Sequence, residues 1–221
     1  MELSDFHEKL FQQCVEYKMV SSAKSILYIG SNIISDYSIL QEFFHKNEIH
    51  NRPDTVEDFW NELGFEKVTV IEHDVSLEDD DRNFNILEAS EQYDVVFNSG
   101  DSMHCFDQVA FFRFMHNSVS LNGHMISVGC WHNGTDKFLY NYQPNFFAKI
   151  MGANQYNCHG TYFSPLSRPA DEHLFFQKIE LGFEYSKMKY LDETGATSID
   201  IPWYIGVLMQ KVNDEEFRPY V

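Results

Sequence analysis

The run KSILYIGSN, Lys24 to Asn32, decides how this chain is read. Ile26, Leu27 and Ile29 make a short apolar strand and Gly30 relieves the turn after it. Asp36, with the periodic Tyr37, Leu40, Phe43 and Phe44, then opens an amphipathic helix. Strand, glycine and helix in that order make an α/β unit, and a glycine at the strand's end lets a ligand approach the backbone. In open α/β sheets the crevice at the carboxyl end of the first strand is where nucleotide-like ligands lie.

Working outward, a polar passage over Lys46 to Pro53 leads to a second helix, expected from Thr55 to Leu63, with Asp54 as N-cap, Glu57 completing a capping box and Gly64 as the stop. Val68 to Ile71 reads as a β-branched strand ending in Glu72. Six acids then fall between Glu72 and Asp81, and Phe84 to Leu87 reads as a further short strand. YDVVFNSG, Tyr93 to Gly100, is a continuous apolar strand. A helix follows, with Val109, Phe112, Phe114, Met115 and Val119 facing inward, before a turn at Leu121 to Gly123 and the strand GHMISVGC. Strands alternating with helices predict a mainly parallel sheet. Phe183 to Tyr190 and Trp203 to Val212 are joined too closely for a crossover helix, so they are expected to pair antiparallel. Thr135 to Ile179, rich in aromatics, Asn and His, is expected to cap the site or wall the substrate.

The chain has 221 residues, suited to one domain, and its 43% hydrophobic and 16% aromatic content excludes a disordered chain. Its net charge of −18 therefore lies on a folded surface and disfavours nucleic acid and anionic membrane as partners. Cys14, Cys105, Cys130 and Cys158 form no CxxC pair and no metal-ligand spacing, which fits reduced thiols in a cytoplasmic protein and no metal site. Leu3, Phe6, Leu10, Cys14 and Tyr17 recur at helical spacing among charges, so 1–23 reads as a packing helix rather than a leader.

Several short motifs together resemble the class I S-adenosylmethionine-dependent methyltransferases, over Ser25 to Val212. ILYIG is similar to that family's first strand and glycine turn, and VIE, Val70 to Glu72, to its second strand with a terminal acid. Asn85 in FNILE falls where the family often has an acid beside the adenine. NSGDSMHCF, Asn98 to Phe106, resembles the loop after the fourth strand, with His104 at a frequent histidine position. VSLNGHMI, Val119 to Ile126, resembles the helix, turn and fifth strand. The resemblance implies a single domain over 1–221: an α/β, doubly wound, mainly parallel seven-stranded sheet with a C-terminal antiparallel hairpin and helices on both faces. A narrower likeness, FLYNYQPNFF at Phe138 to Phe147, resembles a motif of methyltransferase-like proteins that modify sugars and surface polysaccharides. The glycine loop departs from the family. Tyr28 replaces an acid that usually anchors the methionine end of the cofactor, and Asn32 and Ile34 replace further glycines. Glu72 also stands 42 residues beyond Gly30, against about 20 in a dinucleotide fold, which the helix at Thr55 to Leu63 explains as an insertion.

The resemblance implies S-adenosylmethionine as cofactor and a small-molecule acceptor, a sugar or sugar-derived metabolite. Glu72 is expected on the ribose hydroxyls. Gly30, Ser31 and Asn32 are expected at the amino-acid portion, with Asn85, Asn98 and Ser99 completing the cofactor site. Transfer to oxygen also needs a base, and His104 and His132 follow strands at the cofactor end of the sheet, with Asp101 as an electrostatic or orienting group. Tyr140, Tyr142, Phe146 and Phe147 are expected either to wall a substrate pocket or to pack in the core. The alternative is a catalytically inactive methyltransferase-like domain that binds a ligand or a protein. A nicotinamide-dependent oxidoreductase fits the first strand but not the terminal hairpin. The acceptor atom and the oligomeric state stay open.

Overall fold

The computed structural model describes residues 5–34, 40–50, 52–72, 87–132, 139–165, 177–179 and 203–219. The helices are α1 (Asp5–Glu16), α2 (Gln41–Lys46), α3 (Val56–Glu62), α4 (Gln108–Ser118) and α5 (Pro144–Asn154). The strands are β1 (Ser25–Ile29), β2 (Lys67–Ile71), β3 (Tyr93–Asn98), β4 (Val119–His132), β5 (Asn157–Pro165), β6 (Gln177–Ile179) and β7 (Trp203–Gln210). Together the strands form one sheet in the order β2-β1-β3-β4-β7-β5-β6. β1 pairs parallel with β2 and β3, and β3 parallel with β4. β7 runs antiparallel to both β4 and β5, so β5 points the same way as β1 to β4.

Alternation along the strands explains why helices cover both faces. Ile26 and Tyr28 of β1 join a core with α1, α2 and α3, whereas Leu27 and Ile29 join one with α4 and α5. The first core is aromatic. Phe11 of α1 has its ring centroid 5.2 Å from Phe59, 5.3 Å from Trp60 and 5.3 Å from Phe97, so α1 and α3 are packed on β3 through rings in tilted and edge contacts. The start of β1 is fixed by Asp94, whose carboxylate accepts from Lys24 N (2.7 Å) and Ser25 N (3.0 Å).

The structure differs from the sequence reading at several elements. Besides β4, the antiparallel partner of β7 is β5, inside the segment expected to cap the site; the expected partner, 183–190, lies outside the described residues, as does the expected strand at 84–87 except Leu87. The crossover between β4 and β5 holds α5, which begins at Pro144 and stops at Gln155 in the left-handed region, φ 55°. The described part of 131–180 thus contributes a covering helix and two sheet strands, β5 and β6. Thr55, not Asp54, caps α3: its backbone is extended, and its hydroxyl accepts from Asp58 N at 3.0 Å and donates to the Asp58 carboxylate at 2.8 Å. Val109, expected inward, is 40% exposed because it falls in the first turn of α4, ahead of the buried Phe111, Phe112, Phe114 and Met115. Tyr17 lies just past the end of α1 and is 39% exposed.

Candidate functional site

The carboxyl ends of β1, β2 and β3 meet at Gly30. Its N–H donates to Ile71 O (3.0 Å), and Ser99 N donates to Ile29 O (2.8 Å), which draws the three strand ends together. Glu72, exposed at the end of β2, accepts Asn32 N on Oε1 at 2.5 Å. Glu72, distant in sequence, is therefore held against the Gly30–Asn32 turn. Asn32 also ties that turn to α3: its O accepts Val56 N (2.9 Å) and its Oδ1 accepts Glu57 N (3.1 Å). The Ser31 hydroxyl accepts Ile33 N at 3.3 Å.

The space that a glycine opens is occupied from within the protein. A Cβ on Gly30 would lie 2.8 Å from Ser99 Cβ and 2.9 Å from Tyr28 Cε1, so the glycine admits the Tyr28 ring and Ser99. The Tyr28 side chain is fully buried, and no described group completes a hydrogen bond to its Oη. Burial drives its pKa up, the charges of Asp101 and Glu72 add to that, and the nearby Ser99 hydroxyl offsets part of it. Ser99 Oγ instead lies 3.1 Å from Nε2 of His7, which α1 brings over the strand ends. Burial lowers the His7 pKa to about 3, so the ring is neutral. Sequence reasoning placed Tyr28 at the glycine turn as the replacement of an acid but missed His7 as part of this site; the one available signal was that His7 shares the inward face of α1 with Leu10, Phe11 and Cys14.

Asn98 holds the loop after β3. Its Nδ2 donates to Ser102 Oγ (2.8 Å), Ser127 Oγ (3.0 Å) and Val128 O (3.3 Å), while Oδ1 accepts Gly100 N (3.1 Å) and Ser102 N (3.3 Å). These bonds occupy its amide with the protein itself. Asp101 opens the short 3-10 helix Asp101–His104 and is buried, and His104 closes it, half-buried. Burial, with the Asp101 charge, pushes the Cys105 thiol up to about 12, so it is an inert thiol. His132 is the last residue of β4, in register with Trp203. Asn85 lies outside the described residues.

Beside this loop a cavity of about 660 Å³ lies between the start of α4 and the start of α5, walled by Phe106, Val109, Tyr140, Asn141, Gln143 and Phe146. Tyr142 also lines it, whereas Phe147 is fully buried in the core behind. Gln108 joins the cavity to the strand-end loop: its Nε2 donates to Ser102 O and Cys105 O, each at 2.7 Å, and its Oε1 accepts the Tyr142 hydroxyl at 2.5 Å. Tyr142 N donates to Cys130 O at 2.7 Å, and a Cβ on Gly129 would lie 2.3 Å from the Tyr142 ring. The aromatic wall is thus seated on the end of β4.

No family model and no curated protein sequence matches the chain. Solved structures similar to it include a candidate sarcosine dimethylglycine methyltransferase from Galdieria sulphuraria, with TM-score 0.49, 13% identity, and 92% of this chain and 84% of that chain covered. The N-methyltransferase NodS from Bradyrhizobium japonicum, in complex with S-adenosyl-L-homocysteine, gives TM-score 0.46 and 7% identity over 95% of this chain and 89% of that chain. The YcgJ protein from Bacillus subtilis gives 0.45 and 8% over 92% of this chain and all of that chain.

Proposed function

We propose that this protein is a methyltransferase that uses S-adenosylmethionine and acts on a small molecule, with a sugar or sugar-derived metabolite as the acceptor class. One observation carries the reading: the Glu72 carboxylate stands exposed beside the Gly30 turn, where it can accept hydrogen bonds from both ribose hydroxyls of a nucleoside. S-adenosylmethionine supplies a methyl group already activated on sulfur. The protein's part is to hold the acceptor in line with that group, to exclude water and to take a proton from an acceptor hydroxyl. His104 and His132 are the bases proposed for that proton, and Asp101 orients them or the acceptor.

Calorimetry with S-adenosylmethionine and S-adenosylhomocysteine tests the cofactor. Glu72→Ala is expected to lose roughly 1.5 to 3 kcal/mol of binding, the scale of a charge-assisted bidentate contact. Wild-type binding unaffected by this substitution would remove Glu72 from the site. Replacing the histidine that serves as base by Ala lowers turnover about a hundredfold with little effect on cofactor affinity.

A second reading, a catalytically inactive methyltransferase-like domain that binds a ligand other than the methyl donor or a partner protein, is favoured by the amino-acid end of the crevice. There the N–H groups of Gly30, Asn32 and Ile33 are all engaged within the protein, and the Tyr28 ring lies against Gly30. The residues present fit the nucleoside end of the cofactor and, as packed, do not fit its amino-acid end. Absence of binding at millimolar cofactor by wild type, with binding gained in Tyr28→Ala, would establish that second reading.

A further inference from the structure

The cavity between α4 and α5 is built differently from the strand-end turn. Its volume of about 660 Å³ suits a small ligand, for which pockets of about 300 to 1,000 Å³ are usual. Among the described residues its lining carries rings and carboxamides and no Lys, Arg or His, and the one charged group among them is the Asp107 carboxylate, which caps α4 through Ala110 N at 2.9 Å. An anionic ligand is therefore disfavoured. The rings form a firm platform: Phe146 packs 5.1 Å from Tyr142, 5.3 Å from Phe112 and 5.4 Å from Phe147, centroid to centroid. Opposite, Tyr140 Oη donates to Phe106 O at 2.8 Å, and Phe106 itself is 79% exposed at the rim. Asn141 Oδ1 is buried and accepts no hydrogen bond from any described residue. A buried acceptor left without a donor is costly, and a ligand hydroxyl met by a small rotation of this amide relieves it.

We infer that this cavity binds a neutral sugar ring, with its apolar C–H face against Phe106 and Phe146 and its hydroxyls on the carboxamides of Asn141 and Gln143. Planar amides suit this ligand because one side chain can both accept from and donate to neighbouring hydroxyls. As the acceptor site the cavity rests on the methyltransferase reading, since Gln108 links it to the loop after β3; as a sugar site it stands without it.

The test is saturation-transfer NMR on the full chain with no cofactor present, using methyl β-glucoside, methyl β-galactoside and methyl α-mannoside, with choline and benzoate as charged controls. At least one glycoside is expected to bind. Its affinity should fall about tenfold in Phe106→Ala and in Asn141→Ala, with the unfolding temperature of Phe106→Ala unchanged because that side chain is exposed. No glycoside binding, equal binding in both variants, or preference for choline or benzoate would each overturn the inference. Because no cofactor is used, these outcomes are separate from failure of the Glu72 test, which concerns cofactor binding alone.

Discussion

β1 and β3 lie side by side, yet the loops leaving their carboxyl ends are put to opposite uses. After β1, the N–H groups of Gly30, Asn32 and Ile33 are spent on Ile71, Glu72 and Ser31, and the room beside Gly30 is filled by Tyr28 and Ser99. After β3, one side chain, Asn98, satisfies the turning backbone, and Gln108 then holds a wall away from the loop, with a cavity beside it. A strand end resembling a ligand site can therefore be sealed by its own side chains. Its neighbour, which also turns at a glycine, Gly100, can stay hollow.

The comparison breaks most readily at Asn98. Asn98→Ala strands Gly100 N, Ser102 N and the Ser127 hydroxyl in a dry interior and should cost roughly 3 kcal/mol or more in denaturant unfolding. A loss under 1 kcal/mol would mean that the loop holds its shape without it. Next in size is the acid response of His7. Its folded pKa of about 3 lies below the ordinary 6.5, so the unfolded chain binds the extra proton between those values, and stability rises with pH across that window and is fully present above it. At pH 5 its share of the loss is about 2 kcal/mol, and His7→Gln should remove that share from the pH dependence of unfolding. Asn32→Ala removes an exposed bond to the start of α3 and should cost about 1 kcal/mol, as a lost helix cap does. Tyr28→Phe deletes a buried hydroxyl that no described group bonds, so it should leave stability unchanged or raise it by about 1 kcal/mol. A marked loss would show that the hydroxyl has a partner and that the seal beside Gly30 is polar.

What the sequence made legible follows the strength of its local patterns. SILYI, KVTVI, YDVVFN and WYIGVLMQ are runs of apolar and β-branched residues, and each is a strand. NCHGTYFSP, interrupted by Asn, His, Gly, Ser and Pro, falls in the segment expected to cap the site or wall the substrate; it becomes β5 only through pairing with β7, a tertiary effect. At the site, the approach of Glu72 to the Gly30 turn follows from strand order, and the structure has it. The use of Gly30 by Tyr28 could not be read, since the same glycine serves a ligand or a neighbouring ring, and only packing distinguishes them. The resemblance implies that Asn98 and Asn32 face a cofactor, and here the Asn98 amide and the Asn32 carboxamide oxygen bond within the protein. The aromatic run divides: Tyr140 and Phe146 line the cavity, while Phe147 is core.

The position of β7 bears on how the molecule is made. Trp203–Gln210 follows every other described strand in the chain, yet it lies between β4 and β5. While a ribosome is still synthesising these residues, β4 and β5 each carry a bare edge on which another nascent chain could add. Translation stalled before Trp203 would leave a molecule split down its sheet, whereas loss of β6, at the rim, would only shorten it.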